Sequence, residues 1–427
     1  MTVSTAHISS LNQPNESARL RPVQLTWLAA AVFVVSAGYG ALLPLLPGWL
    51  ITMMPGATDA QIASHVGFLS GVYAAGVLIG APLWGAVSDH TGRSRVLIIG
   101  LIGYVASILL QIAPELVGLW GIYALRASTG FFVAAVVPIV SALVAEHTPE
   151  EQRARRFAWL GAISLLGFLF GPVLTAVANW IGSWVDDGAI SLTLSTRFVL
   201  VLSALLGAVM MLGLAKTLPP SRSSDLIAHN KLETSAQDRP TALLWLNGAL
   251  LFVLAGFELG IVLQGEQEAG QSSRQAAIMF AECSLVMLGI NALLFFTSLL
   301  EKISPRILIG VGLTIALAGL AILAGHRFDV WMYLGVSLTS AGTGLVLPVI
   351  AYLAAGASPQ KLGITMGNLT AAAGLGQTLG SAFGGWLFST FAQSSFGWLS
   401  LPLVLMLLLL LVWPGLWTVT TSPEVTR

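Results

Sequence analysis

Apolar runs of about twenty residues or more recur along this chain, separated by short polar breaks, and each is long enough to cross a ~30 Å hydrocarbon layer as an α-helix. A chain of this kind has few options. With no water inside a bilayer to satisfy the backbone, only helices and closed barrels span it, and runs such as Leu401 to Val412 lack the alternation of a barrel strand. Composition agrees: 56% of the residues are hydrophobic and 9% are charged, against roughly a quarter charged in a soluble domain. The predicted fold class is an all-α membrane protein.

Apolar runs between breaks predict twelve transmembrane helices, near 24–49, 62–87, 95–113, 116–145, 156–181, 196–217, 241–263, 274–300, 304–325, 329–356, 361–392 and 395–419. The longest polar interruption, Lys216 to Pro240, divides them into two sets of six. The expected organisation is a cytoplasmic tail 1–23, an N-terminal six-helix bundle 24–217, a cytoplasmic linker 218–240, a C-terminal six-helix bundle 241–419 and a cytoplasmic tail 420–427. The apolar run behind the polar first twenty residues is too long for a signal-peptide core, so it is expected to remain as the first span. With both termini in the cytoplasm, fifteen of the nineteen Lys and Arg fall on the inner side, three fall outside, and Arg126 lies within a span. That bias follows the positive-inside rule and places the chain in the cell membrane.

The two halves repeat each other. Tyr123, Pro138, Leu143 and Pro149 recur as Tyr333, Pro348, Leu353 and Pro359, each shifted by 210. Trp27, Leu28, Ala31, Val35, Ala37 and Gly38 recur as Trp245, Leu246, Ala249, Val253, Ala255 and Gly256, each shifted by 218. Pseudo-symmetric halves are a common plan for transporters, with the substrate site at the interface of the halves.

Other function classes find no support. The formal net charge is zero and no basic stripe suggests nucleic acid. No phosphate-cradling Gly-x-x-x-x-Gly-Lys-Ser/Thr occurs, so no ATP is expected. No His/Cys cluster has metal-ligand spacing, and the lone Cys283 reads as a packed core thiol. No cofactor or metal is expected, and the chain does not read as an enzyme. The expected partners are a small-molecule substrate, protons and membrane lipid, with the protein working as a monomer.

Between the second and third spans lies Gly85-Ala-Val-Ser-Asp89-His-Thr-Gly92-Arg93-Ser-Arg95. Gly85 is suited to a close helix approach, Asp89 to a helix N-terminus, and Arg93 to pairing with acids when one face closes. The segment resembles the cytoplasmic-loop signature of the major facilitator superfamily, although Val87, His90 and Ser94 depart from the commonest pattern. Arg126 with Gly130 resembles that superfamily's Arg-x-x-x-Gly element of the fourth helix. Gly167-Phe-Leu-Phe-Gly171-Pro172 is similar to an element of its drug:proton antiporter group, with Thr175–Ala176 where a pair of glycines is usual. Gly38, Pro44 and Pro47 match a further pattern of twelve-helix exporters. The resemblance implies the major facilitator fold of two six-helix bundles. It also implies a proton-coupled exporter of a small organic molecule, drug-like or siderophore-like, working by alternating access. A symporter or facilitator importing a sugar, organic acid or amino acid is the alternative.

Charges inside spans are costly and mark function by default. Arg126, Glu258 and Glu282 are the three placed there, and Glu258 is an addition to the repeat, standing where the first half has Gly40. Counting at ~1.5 Å per residue puts all three in the outer half of the bilayer, so one shared cavity is expected. Desolvation favours the neutral form of a carboxylate, the property a proton-coupling group needs. Tyr39, Tyr73, Asn247, Asn368 and Gln377 are the cavity-lining candidates, with interhelical hydrogen bonding the default for the amides. Gly167, Gly171 and Pro172 are expected to serve helix packing.

Overall fold

The computed structural model describes residues 20–148, 150–184, 189–218, 238–267, 273–297, 302–326, 329–357 and 362–413. The predicted C-terminal tail, most of the N-terminal one and nearly all of the linker lie outside the described residues. Every element within them is helical: α1 (Pro22–Leu42), α2 (Leu46–Met53), α3 (Asp59–Thr91), α4 (Arg93–Leu110), α5 (Pro114–Val133), α6 (Val137–Glu146), α7 (Glu150–Ser183), α8 (Ala189–Thr217), α9 (Asp238–Gln267), α10 (Ser273–Phe296), α11 (Pro305–Gly325), α12 (Asp329–Ala357), α13 (Leu362–Phe391), α14 (Ser395–Leu399) and α15 (Leu401–Val412). Ten helical stretches among the described residues are long and apolar enough to cross a membrane. One of them, Asn368–Val412, has 45 residues, about twice what a single crossing needs. It is broken by a 3₁₀ turn at Ala392–Ser394, where Ala392 has a φ of 48°. Dividing it there and adding the shorter apolar helix Ile278–Leu294 would make the twelve crossings expected; length and composition alone show ten. Large apolar side chains such as Trp120, Leu405 and Val412 stand exposed on the outside of the bundle. On a soluble protein that surface would demand a partner; here lipid covers it.

The local geometry follows from the sequence. Pro44 and Pro47 lack the N–H that an α-helix interior requires, so the first crossing passes through a 3₁₀ turn at Leu43–Leu45. At that break the Thr175 hydroxyl, from α7, donates to the Ala41 carbonyl at 2.6 Å. The residue that departs from the usual glycine pair thus supplies a donor that glycine lacks. Thr175→Val keeps the shape and removes the donor, and is expected to cost ~1 kcal/mol. Denaturation in detergent micelles checks this; an unchanged unfolding midpoint would contradict it. α3 opens with a capping box, in which Gln61 N–H donates to the Thr58 hydroxyl and Thr58 N–H to Gln61 Oε1. It ends at Gly92, whose φ of 94° suits glycine, and α4 starts at once with Arg93.

Glycines let helices approach until backbones touch. A Cβ on Gly40 of α1 would lie 2.6 Å from the Phe168 carbonyl oxygen of α7, and Gly167 and Gly171 press back on Phe33 and Gly40. The second half has the same crossing between α9 and α13, where Gly376, Gly380 and Gly384 meet Gly248, Phe252 and Gly256. Gly167 and Gly171 thus stand where α7 touches the backbone of α1.

Candidate functional site

The halves meet chiefly where α3 crosses α13. A Cβ on Gly67 would lie 2.5 Å from the Gly385 Cα and 2.8 Å from the Ser381 carbonyl oxygen, so this end, which also holds the Glu115–Arg197 ion pair, is tightly closed. Some 27 Å farther along α3, no heavy atom lies within 4 Å of where a Cβ on Gly85 would stand. The close helix approach expected at Gly85 is therefore not made in this structure. Arg93 is half-buried, and the Asp89 side chain lies outside the described residues.

Midway along the bundle the polar residues gather in two places. In the first half, Arg126 of α5 is only 2% exposed. It does not snorkel. Its guanidinium lies 5.0 Å from the centroid of the Tyr73 ring, a cation–π distance, while Nε and Nη2 have no hydrogen-bond partner. Beside it is a narrow cavity of about 10 Å³, room for roughly one water. Tyr39, Tyr73, Tyr104, Gln111, Thr129 and Arg126 contribute to its wall. Thr129 donates to the Leu125 carbonyl at 2.7 Å and accepts from Gln111 Nε2 at 3.0 Å.

In the second half, Glu258 of α9 is 8% exposed, so it is buried and not a residue of the helix end. Glu282 of α10 accepts a short hydrogen bond from the Ser337 hydroxyl of α12, and its other oxygen is buried without a partner. Buried Cys283 lies beside Ser340 and within electrostatic reach of both acids. The structure thus corrects the single cavity expected for Arg126, Glu258 and Glu282. Equal depth along the bundle places residues at one level, but the three project from different helices: neither acid lines the Arg126 cavity.

Tyr39 joins the two places. Its ring stacks on Tyr73 at 4.7 Å, its hydroxyl lies near Gln377 of α13, and it is within electrostatic reach of both Arg126 and Glu258. Phe168, which stacks on Tyr39 at 5.9 Å, meets Phe280 of the other half at 6.1 Å. Of the cavity-lining candidates, Tyr39 and Tyr73 line the Arg126 cavity; Asn247, Asn368 and Gln377 do not. Asn247 Nδ2 instead donates to the Leu369 carbonyl at 3.0 Å, tying α9 to α13, and Asn368 is exposed. The sequence reading missed Tyr104, Gln111, Thr129, Ser337 and Ser340. Their signal was the spacing: Tyr104 and Ser107 on α4 with Gln111 just beyond its last turn, Arg126 and Thr129 on α5, and Ser337 and Ser340 on α12 each follow one helical face.

Known proteins agree with this architecture. The family model described as Major Facilitator Superfamily matches residues 28–295 and 266–426. The class D tetracycline resistance protein of Salmonella ordonez is 27% identical over 376 residues, covering 84% of this chain and 88% of that protein. Multidrug resistance protein 2 of Bacillus subtilis (strain 168) is 24% identical over 398 residues, covering 90% of this chain and 94% of that protein. Among solved structures, a D-xylose-proton symporter superposes with a TM-score of 0.72 at 17% identity, covering 90% of this chain and 96% of that one; at that identity the likeness concerns the fold. With two helical halves packed around buried charge and a family model matching nearly the whole chain, this protein belongs to the Major Facilitator Superfamily, whose members are multi-pass membrane transporters and not enzymes.

Proposed function

We propose that this chain is a proton-coupled exporter of a small organic molecule, a drug-like compound or a siderophore-like metabolite, working by alternating access as a monomer in the cell membrane. One observation carries the reading. Two polar sites, a cation in the first half and two acids in the second, are bridged at their interface by Tyr39, so a shift of one half against the other changes both at once. The tight crossing at Gly67 and Gly385, with open space at Gly85, is the arrangement expected of one end state, closed at the Glu115 end and open at the Arg93 end. Full-length similarity to proteins named for tetracycline and multidrug resistance supports export over import. In this reading Glu258 and Glu282 carry the proton, Arg126 holds the substrate or compensates an acid, and the loop Gly85, Asp89, Gly92 and Arg93 serves the conformational switch.

The reading has twelve crossings, with domain limits at 24–217 and 241–419 and both termini in the cytoplasm. Single cysteines at Ser223 and Ser358 are then expected to react only from the cytoplasmic side, and those at Ser183 and Ser272 only from outside, in a Cys283→Ser background. Labelling of Ser183→Cys and Ser223→Cys from the same side would refute that topology. The functional test is a transport screen in a strain lacking its own exporters: expression should lower intracellular accumulation of at least one compound. Uniformly raised accumulation would favour import.

A further inference from the structure

The cavity beside Arg126 carries chemistry that proton exchange at the acids does not use. It lies within the first half, between α1, α3, α4, α5 and α8. The guanidinium on its wall is almost wholly buried, with two nitrogens unpartnered, and no carboxylate among the described residues pairs with it. The ring of Tyr73 partly compensates the charge. A second unpartnered buried donor, the Tyr104 hydroxyl, belongs to the same wall. Against these donors stands one unpaired acceptor, Gln111 Oε1, whose amide nitrogen is occupied by the Ser107 carbonyl and the Thr129 hydroxyl. A water in this space would satisfy hydrogen bonds and leave the buried charge uncompensated; a small anion accepts from the Arg126 and Tyr104 donors and balances the charge, leaving Gln111 Oε1 alone unpaired. The narrow space, with room for roughly one water, favours a compact group.

We propose that this cavity is a subsite for a compact monovalent anionic group held by Arg126 and Tyr104, either a free halide or the acid function of the transported molecule. The second source rests on the export reading; the first does not. In either case the guanidinium fork supplies Nε and Nη2, and the Tyr104 hydroxyl approaches from α4.

The test uses the purified full-length protein in detergent at constant ionic strength, with sodium gluconate, too large for the cavity, replaced stepwise by sodium bromide or sodium acetate. The reading is the midpoint of thermal unfolding. A saturable rise over gluconate is expected, lost in Arg126→Gln and shifted to about tenfold higher salt in Tyr104→Phe, which removes one charge-assisted hydrogen bond. A rise with bromide alone identifies a free halide, and a rise with acetate an acid function. No rise with either salt, or a rise of equal size and half-saturation in both variants, overturns the proposal. Should Arg126→Gln misfold, Tyr104→Phe, which keeps the ring, still decides it. Binding is read here without transport, so a failed transport assay would leave this result standing, and the reverse also holds.

Discussion

Arg126→Ala is expected to lower transport at least ~100-fold while the protein still inserts and remains monodisperse. The side chain is buried in the middle of a span, over the Tyr73 ring, beside a cavity and with two nitrogens unpartnered. A guanidinium kept at that depth without a carboxylate is costly, and removing a group that anchors a charged ligand or balances an acid is worth ~3 kcal/mol or more, which is that hundredfold. Arg126→Lys retains the charge and loses the planar fork, so partial activity is expected from it. Rates in vesicles, normalised to the amount of inserted protein, check both variants. Transport by Arg126→Ala within twofold of the wild type would remove Arg126 from the mechanism.

The second large effect is expected at the acids. Glutamine at Glu258 and Glu282 fixes each in its neutral state, so an imposed pH gradient should no longer concentrate substrate, whereas downhill equilibration should persist. The geometry distinguishes the two positions. Glu282 is held by Ser337 with one oxygen free, while Glu258 lies nearer the interface, within reach of Tyr39. Gradient-driven accumulation is expected to fall ~10-fold or more in the double variant, the loss of about 1.4 kcal/mol or more of coupling. Wild-type accumulation by the double variant would mean that neither acid carries the proton.

Much of this architecture was legible in the sequence, for physical reasons. Lipid forces long apolar runs and tolerates few charges, so the helices stand out, and so do Arg126, Glu258 and Glu282. The 218-residue repeat announced Gly38 and Gly256; Gly256 lies in the crossing of α9 with α13, whereas Gly38 packs against Tyr104 of α4 and Ser203 of α8. Direction around the bundle was harder to read. Counting residues gives depth along a helix but not azimuth, which is why one shared cavity was expected for groups that sit in separate halves. Tyr104 and Ser337 stayed hidden because hydroxyls are common in apolar helices, and their meaning comes only from what they face. Thr175 read as a defect in a glycine pattern and proves to be a hydrogen-bond donor at a helix break.

The most direct measurement of the central claim is accumulation of a compound from the transport screen in proteoliposomes whose lumen is acidified, with protein-free vesicles as the blank. Antiport concentrates substrate in the acidic lumen whichever way the protein is inserted, because the gradient sets the direction, and a protonophore should abolish the accumulation. Accumulation in an alkaline lumen instead, or simple equilibration indifferent to the gradient, would contradict a proton-coupled exporter.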